Sequence, residues 1–175
     1  MILTNNLVLV PLSQFSIPEK PQVQEFVGWL NDPEVVKYSE HRHHEHSDES
    51  QMDYWECVLD EPTRYLFIKT KNGGKTKIIG AASATYEEDN LISNISILIG
   101  DKTCWGKGYG KEVFAAMIEN ERLHGMEKVT AGMMETNEAM IRTALACGMT
   151  REAVIPGYFK VEDTRIPLVL MGLAF

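Results

Sequence analysis

The segment from Trp105 to Lys111 has the composition of an anion-binding loop. Three glycines, Gly106, Gly108 and Gly110, alternate there with larger residues. Glycine lets the backbone turn tightly and bring several N–H groups against one anion. A helix that begins at such a loop adds the positive end of its dipole. The residue types and their spacing therefore indicate a phosphate-binding site.

The spacing of the glycines excludes two common phosphate-binding motifs. A nucleotide-triphosphate P-loop needs G-x-x-x-x-G-K-[ST], but counting from Gly106 places Lys111 at the second glycine, with Glu112 next. A dinucleotide fingerprint needs G-x-G-x-x-G, and its third glycine would fall on Lys111 or Val113. The remaining pattern is G-x-G-x-G.

The loop lies between a predicted strand and a predicted helix. The strand is indicated by β-branched residues at alternate positions, namely Ile95, Ile97 and Ile99. The helix is indicated by apolar residues at steps of three and four, namely Val113, Phe114, Met117, Ile118 and Leu123. The order strand, glycine loop, helix follows.

The rest of the chain predicts alternating helices and strands. We expect a strand over residues 2–10, helices over 19–30, 34–38 and 48–59, and a meander of strands near 65–68, 78–82 and 95–99. Asp32 and Pro33 give a cap and a first helical residue, and Asn72, Gly73 and Gly74 give a hairpin turn. A strand over 128–133, a helix over 138–147 and strands over 152–158 and 165–173 complete the prediction.

The glycine loop resembles that of the GNAT superfamily of acetyl-CoA-dependent N-acetyltransferases. The superfamily loop, [QR]-x-x-G-x-[GA], wraps the pyrophosphate of coenzyme A, and Gly108 and Gly110 match its small positions. Trp105 occupies the position where glutamine or arginine is common. The RimJ/RimL-like branch often has W-G-K-G-x-[AG]-x-E, which Trp105, Gly106, Lys107, Gly108, Gly110 and Glu112 match.

Two further segments extend the resemblance to nearly the whole chain. The segment from Asn137 to Arg142, with Gly148 after it, resembles N-x-x-[SA]-x-R followed by L-G-F, and it departs at Met140 and Met149. Residues 29–36 resemble W-[LM]-N-D-P-E-V. The resemblance implies that Asn137 contacts the pantetheine arm of coenzyme A and that Arg142 contacts a coenzyme phosphate.

The resemblance also implies a fold and a set of cofactor contacts. The fold is α+β, with a central, mostly antiparallel sheet flanked by helices, and two central strands splay apart to admit acetyl-CoA. Freed backbone groups of one strand pair with the pantetheine arm, and one N–H polarises the thioester carbonyl. The loop holds the pyrophosphate, and Lys107 or Lys111 adds charge. The cofactor-binding residues so predicted are Ile97, Leu98, Ile99, Trp105, Gly106, Lys107, Gly108, Tyr109, Gly110, Lys111, Asn137 and Arg142.

Direct attack of a neutral amine on acetyl-CoA needs a base and, for the departing thiolate, an acid. Many superfamily members have a tyrosine seven residues after the asparagine, where this chain has Ala144. The RimJ/RimL-like branch commonly lacks this tyrosine, so its absence does not argue against catalysis. The general acid stays unassigned, and a thiolate of low pKa needs none.

The segment from Tyr38 to His46 contains four histidines and two glutamates. A zinc site is one interpretation, but the histidines lack H-E-x-x-H spacing, so we expect no metal. A solvated polar loop is the second interpretation. The third is an acceptor loop, since a branch subgroup encoded with surface-polysaccharide genes has a similar Y-S-E-[QH]-R-H string. It implies an amino-sugar nucleotide as acceptor. Because an imidazole can take a proton near neutrality, we expect His43 to be the base and Glu40 to hold or orient the amine.

Composition bounds the remaining possibilities. The 175 residues are 44% hydrophobic, which predicts a single N-acetyltransferase domain over 1–175. The net charge of −8 argues against a nucleic-acid or anionic-membrane partner, and the absence of a long apolar run predicts a cytoplasmic protein. The three cysteines suggest neither disulfides nor zinc, and Cys104 and Cys147 are predicted to be structural thiols. The apolar final strand is compatible with a homodimer.

Two functions are consistent with the sequence. The favoured one is an acetyl-CoA-dependent N-acetyltransferase that acts on the primary amine of an amino-sugar nucleotide, a protein N-terminus or a small metabolite. The alternative is a catalytically silent module that binds coenzyme A as a sensor or scaffold. Both predict cofactor binding at the glycine loop, so turnover distinguishes them.

Overall fold

A single eight-stranded sheet forms the centre of the protein. The computed structural model describes residues 1–14, 20–60, 63–71 and 76–175. The strands are β1 (Ile2–Leu3), β2 (Leu7–Pro11), β3 (Thr63–Thr70), β4 (Ile78–Glu87), β5 (Ile92–Ile99), β6 (Lys128–Met134), β7 (Thr150–Val161) and β8 (Thr164–Ala174). Their order is β1-β2-β3-β4-β5-β6-β8-β7. Every neighbouring pair is antiparallel except β5 and β6, which confirms the predicted mostly antiparallel sheet.

Helices cover both faces of this sheet. They are α1 (Lys20–Leu30), α2 (Pro33–Val36), α3 (Asp48–Asp60), α4 (Tyr109–Leu123) and α5 (Glu138–Ala146). Successive side chains of a strand point to opposite faces. In β3, Leu66 and Ile68 accordingly join the core under α4 and α5, whereas Tyr65 and Phe67 join the core under α1 and α3. The sheet therefore separates two hydrophobic cores.

The predicted elements differ from the structure mainly near the N-terminus. The strand predicted over residues 2–10 is wrong as one piece, because a turn divides it into β1 and β2. The Thr4 amide donates to the Leu7 carbonyl at 3.0 Å, and the Leu7 amide donates to Thr4 Oγ1 at 3.0 Å. Hydroxyl groups close turns in this way. Helix α2 ends at Val36 instead of Tyr38, while its predicted cap is confirmed, since Asp32 Oδ1 accepts from the Glu34 amide at 2.9 Å.

Two predictions fall on residues outside those described. The hairpin turn at Asn72, Gly73 and Gly74 is one, and the helix start at Glu19 is the other. The antiparallel pairing of β3 with β4 and of β4 with β5 nevertheless confirms the predicted meander.

Strands β5 and β6 separate along their length. Their parallel pairing joins Ile92–Asn94 to residues 128–130, after which β5 continues to Ile99 and β6 to Met134. Beyond that point each strand keeps its outer partner, since Ile99 pairs with Gly80 of β4 and Met134 pairs with Leu168 of β8. The gap between β5 and β6 is therefore built into the sheet, as the resemblance implies.

The first turn of α4 is tied to the turn between β1 and β2. The carboxylate of Glu112 accepts from the backbone amide of Asn6 at 2.7 Å and from Asn6 Nδ2 at 2.9 Å. Burial raises the pKa of Glu112, but the hydrogen bonds from Asn6 outweigh it and hold this pKa below its ordinary value. The ionised carboxylate therefore stabilises the fold above the ordinary carboxyl pKa, and this contribution is lost as the pH falls through the lowered pKa.

We expect the substitution Glu112→Ala to lower the free energy of unfolding by about 1 kcal/mol at neutral pH, because it removes two hydrogen bonds to a charged acceptor at a partly exposed site. Urea denaturation measures the change. Glu119→Ala is the matched control, because Glu119 is exposed on the same helix and pairs with Arg122 one turn away. Equal losses in the two variants would contradict the anchoring role of Glu112.

Candidate active site

A cavity of about 370 Å³ lies where β5 and β6 separate. It extends to both faces of the sheet. On the face of α4 and α5 it is lined by Ile95, Ile97, Phe114, Ala131, Met133, Asn137 and Met140. On the face of α1 and α3 it is lined by Phe26, Leu30, Tyr38, Ser39, Glu40, His41, Gln51, Tyr54, Tyr65, Ala81, Ser83, Ser96, Leu98 and Phe159. We call these the α4 side and the α3 side of the cavity.

The glycine loop follows β5 directly. A short turn over Lys102–Cys104 is capped by Asp101, whose Oδ1 accepts from the Thr103 amide at 2.9 Å. The indole Nε1 of Trp105 donates to the Ile99 carbonyl at 2.8 Å, which fixes the start of the loop to the end of β5. Trp105 thus positions the loop through its ring nitrogen.

The backbone of the loop needs glycine. Gly106 has φ 73° and Gly108 has φ 80°, a left-handed conformation that side chains with a Cβ adopt only at a cost. Gly108 is the N-cap of α4 and has no side chain to satisfy the first amides of the helix. A Cβ added at either glycine would meet no described heavy atom within 4 Å. A glycine loop of this conformation before an uncapped helix N-terminus is typical of an anion-binding site.

Asn137 lines the cavity, whereas Arg142 lies away from it. Asn137 caps α5, where its side chain accepts from the Met140 amide at 3.3 Å, and it lines the α4 side of the cavity. Arg142 points to solvent with 71% of its side chain exposed and forms an ion pair with Glu138 at 3.0 Å. The cavity therefore brings Asn137 to the predicted cofactor strand but does not reach Arg142.

The histidine-rich segment forms part of the α3 side. A short helical turn over Glu40–His43 is capped by Ser39, whose hydroxyl accepts from the His41 amide at 3.3 Å. Glu40 lines the cavity, and its Oε1 accepts from Arg42 Nη1 at 2.9 Å. Arg42 also donates to the Ser39 carbonyl at 2.7 Å and lies over the Phe159 ring at 5.9 Å. Arg42 thereby holds the turn against β7.

His43 lies behind Glu40, away from the main cavity. It lines a second, outer cavity of about 670 Å³, together with the other histidines of the segment. His43 Nε2 is 3.6 Å from Glu40 Oε2, so the two predicted catalytic residues are in contact. Glu40 consequently connects the main cavity with a histidine on the outside.

His41 lines both cavities, which the sequence did not indicate. Its Nδ1 is 3.3 Å from His46 Nε2. Burial, together with the neighbouring His46 and His44, holds the pKa of His41 below its ordinary value. Within residues 1–14, 20–60, 63–71 and 76–175, no group of three or more histidine, cysteine or acidic side chains is arranged to hold a metal ion.

The lowered pKa of His41 predicts a loss of stability in acid. The unfolded chain binds a proton at the ordinary histidine pKa of about 6.5, while folded His41 binds it at a lower pH. Stability should therefore fall as the pH drops through this window, and the fall should be smaller in His41→Gln. Tm measured at about pH 7.5 and about pH 5.5 tests this. His124→Gln, at an exposed position after α4, should keep the wild-type fall, and an unchanged fall in His41→Gln would contradict the prediction.

Sequence reasoning missed several residues on the α3 side. Gln51, Tyr54 and Tyr65 line the cavity there, and Ser83 lies opposite Ser96, with their hydroxyl oxygens 3.0 Å apart. The sequence contained one indication of this polar surface, namely Ser96, which lies between two isoleucines. Strand alternation places Ser96 on the face opposite Ile95 and Ile97.

Several other residues that the sequence offered as candidates lie at positions that do not indicate a catalytic role. Ala144 is fully buried, so its position offers no general acid. Cys104 is buried, and burial raises the pKa of the half-buried Cys147, which disfavours a thiolate nucleophile. Tyr158 is 56% exposed, whereas Phe159 lines the cavity.

None of the helices in the described part of the chain has the length and apolar character that a membrane crossing needs.

The splayed sheet, the glycine loop and the cavity through the sheet define an acyl-CoA-type transferase fold. Residues 12–150 match the acetyltransferase (GNAT) domain family, and the chain belongs to that family. As a member it is an N-acetyltransferase that uses acetyl-CoA as co-substrate. The family assignment confirms the resemblance at the level of the superfamily.

Solved structures share this fold at low sequence identity. RimL, a ribosomal L7/L12 alpha-N-protein acetyltransferase in complex with coenzyme A, has a TM-score of 0.82 at 12% identity, over 98% of this chain and 96% of that chain. Spermidine N-acetyltransferase from Vibrio cholerae, with CoA and spermine, has 0.78 at 13%, over 96% and 95%. The microcin C7 self-immunity acetyltransferase MccE, with acetyl-CoA and AMP, has 0.78 at 19%, over 98% and 93%.

Proposed function

We propose that this protein transfers the acetyl group of acetyl-CoA directly to the primary amine of an amino-sugar nucleotide, a protein N-terminus or a small metabolite. The observation that carries the proposal is the cavity through the splayed sheet. One side is lined by residues of α5 and of α4, the helix that begins at the glycine loop, and the other is lined by the start of the histidine-rich segment. Two substrates can therefore approach the same gap from opposite faces, as direct transfer requires.

The α4 side is proposed as the cofactor side. The amides from Gly106 to Lys111 and the N-terminus of α4 bind the pyrophosphate, with Lys107 and Lys111 exposed beside it. The open edge of β5 over Ile97–Ile99 pairs with the pantetheine arm, and Asn137 contacts the same arm from across the gap. Arg142 would reach a coenzyme phosphate only by leaving its ion pair with Glu138.

The α3 side is proposed as the acceptor side, with Glu40 and His43 handling the amine proton. Glu40 faces the cavity and contacts His43, which is exposed to solvent. Acetyl-CoA supplies the acetyl group as a reactive thioester. The amine nitrogen bonds to the thioester carbonyl carbon, the carbon–sulfur bond breaks, and CoA leaves as the thiolate. The nitrogen gives up one proton, and the thiolate takes up one proton from solvent. We propose that Glu40 orients the amine and passes its proton to His43, which lies outside the main cavity.

The proposed acceptor class rests on chemistry and resemblance. Glu40 is the acidic side chain that lines the cavity among the described residues, and a carboxylate suits an amine. The motifs at Trp105 and Tyr38 support the RimJ/RimL-like branch and its amino-sugar subgroup. Residues 1–175 would act as one N-acetyltransferase domain, because one sheet runs from β1 to β8. A cytoplasmic location follows the co-substrate, since acetyl-CoA is made and used inside the cell.

The proposal is tested by incubating the protein with acetyl-CoA and a panel of amines, followed by mass spectrometry of the products. The panel contains an amino-sugar nucleotide, a peptide with a free N-terminus and a polyamine. We expect one class to gain an acetyl group on nitrogen, and we expect no acetylated protein after incubation with acetyl-CoA alone, because transfer is direct. An acetyl group bound to Cys104 or Cys147 would contradict direct transfer.

A further inference from the structure

One polar side chain on the α3 side has an unsatisfied hydrogen-bonding group. Gln51 lines the cavity and is only 2% exposed. Its Nε2 is buried and has no hydrogen-bond partner in the part of the chain that the structure describes. Most buried polar groups are hydrogen-bonded, and an unpaired donor destabilises a protein. A donor kept unpaired at the wall of a substrate cavity is expected to have its partner in the substrate.

The fold fixes where this donor points. The first turn of α3 is closed by Ser47, whose hydroxyl accepts from the Ser50 amide at 3.1 Å and whose carbonyl accepts from the Gln51 amide at 3.0 Å. Trp55 and Val58, four and seven positions after Gln51, pack in the core under α3. Residues at these spacings share one helix face. Gln51 therefore occupies the inward face of α3, at the end that borders the cavity.

The side chains that line the cavity around Gln51 indicate the chemistry of a ligand that would fill it. Phe26, Tyr38, Tyr54, Tyr65 and Phe159 supply aromatic rings. Burial raises the pKa of Tyr65, so this phenol stays neutral and adds no charge. Glu40 supplies a carboxylate whose Oε1 pairs with Arg42 and whose Oε2 lies 3.6 Å from His43 Nε2. A ligand that satisfies these groups has an amine for Glu40, a compact body for the aromatic rings and an oxygen that accepts from Gln51.

We propose that Gln51 is a specificity-determining residue whose Nε2 donates to an oxygen on the carbon skeleton of the acceptor amine. The acceptor would then be an oxygenated primary amine, such as an amino sugar or an amino alcohol. An unsubstituted alkylamine or a polyamine has no oxygen there and leaves Gln51 unpaired. The inference rests on the proposed function and narrows its acceptor class.

Two amines that differ only in one hydroxyl group test the inference, namely trans-2-aminocyclohexanol and cyclohexylamine, with putrescine as the polyamine. A site built to hydrogen-bond a substrate oxygen rejects the analogue that lacks it. We expect wild-type kcat/KM for the amino alcohol to exceed that for cyclohexylamine by about 10-fold or more. In Gln51→Leu this ratio should fall to about 1, because the rate with the amino alcohol drops while the rate with cyclohexylamine is retained.

Stability and a matched variant separate substrate recognition from a structural role. Gln51→Leu should keep or raise Tm, since it removes a buried donor without a partner. Gln24→Leu makes the same change at an exposed position of α1 and should leave the ratio unchanged. Equal losses with both amines in Gln51→Leu, or a wild-type preference for cyclohexylamine or putrescine, would overturn the inference.

The experiment also distinguishes failure of the inference from failure of the proposed function. Turnover of amines without the predicted preference overturns the role of Gln51 and leaves the acetyltransferase function intact. Binding of acetyl-CoA without thiol release in the presence of any of the three amines, the amino-sugar nucleotide or the peptide overturns the proposed function, and the inference with it.

Discussion

The substitution Gly108→Asp is expected to weaken the binding of acetyl-CoA by about 100-fold or more. Gly108 caps α4 with φ 80°, and the first amides of the helix lie directly after it. An aspartate there places a carboxylate where the pyrophosphate is proposed to bind, and it repels that anion. Its side chain can also accept hydrogen bonds from the amides that the ligand needs. Isothermal titration calorimetry with acetyl-CoA measures the change.

The other end of the same helix supplies a matched control. Gly125 has φ 85°, and a Cβ there would also meet no described heavy atom within 4 Å. Gly125→Asp therefore introduces the same side chain at a similar backbone conformation, after the C-terminal end of α4 and away from the glycine loop. It should cost stability but keep wild-type affinity. Unchanged affinity in Gly108→Asp, or an equal loss in both variants, would contradict the proposed phosphate cradle.

The substitution Glu40→Gln is expected to lower kcat/KM by about 100-fold, a typical effect of removing a group that handles a proton in catalysis. The amide keeps the shape of Glu40 but can neither attract an ammonium group nor pass its proton to His43. His43→Gln should lower kcat/KM as well. If the two residues act as a unit, the double variant should be no slower than Glu40→Gln alone. Steady-state rates of thiol release measure all three variants.

Residues of the same segment provide the controls for this pair. Glu45 and His44 line the outer cavity, apart from the main one. Glu45→Gln makes the same change in net charge as Glu40→Gln, and His44→Gln matches His43→Gln. Both controls should retain near wild-type kcat/KM. Full activity in Glu40→Gln, or losses that simply add in the double variant, would remove Glu40 and His43 from the proposed proton path.

Local sequence patterns predicted most of the fold, because the features concerned depend on nearby residues. The cap formed by Asp32 and Pro33 is such a feature, as is the strand alternation of Ile95 and Ile97. The break between β1 and β2 was missed, since its turn is closed by a hydroxyl of Thr4 in a short polar stretch that contains asparagines but no glycine or proline. Its position near α4 depends on Glu112, more than a hundred residues away.

The candidate site was predictable on the α4 side, proposed to bind the cofactor, and much less so on the α3 side, proposed to bind the acceptor. The glycine loop is contiguous in sequence, so its spacing alone indicates an anion site. The α3 side combines one or two residues from each of α1, α3, β3, β4, β5 and β7 with residues 38–41. Gln51 illustrates the difficulty, because a glutamine in the first turn of a helix is unremarkable until the structure shows it buried and unpaired. The spacing of the neighbouring histidines could not show that His41 lines the main cavity whereas His43 lines only the outer one.

The most direct test of the central claim compares the rate of thiol release from acetyl-CoA in the presence and absence of an acceptor amine, with acetyl-CoA binding measured in parallel. Direct transfer between the two sides of one cavity predicts that acetyl-CoA binds alone, that thiol appears only when the amine is added, and that one acetylated amine forms for each thiol released. Binding of acetyl-CoA with no amine-dependent thiol release would contradict the account and favour a module that only binds the coenzyme.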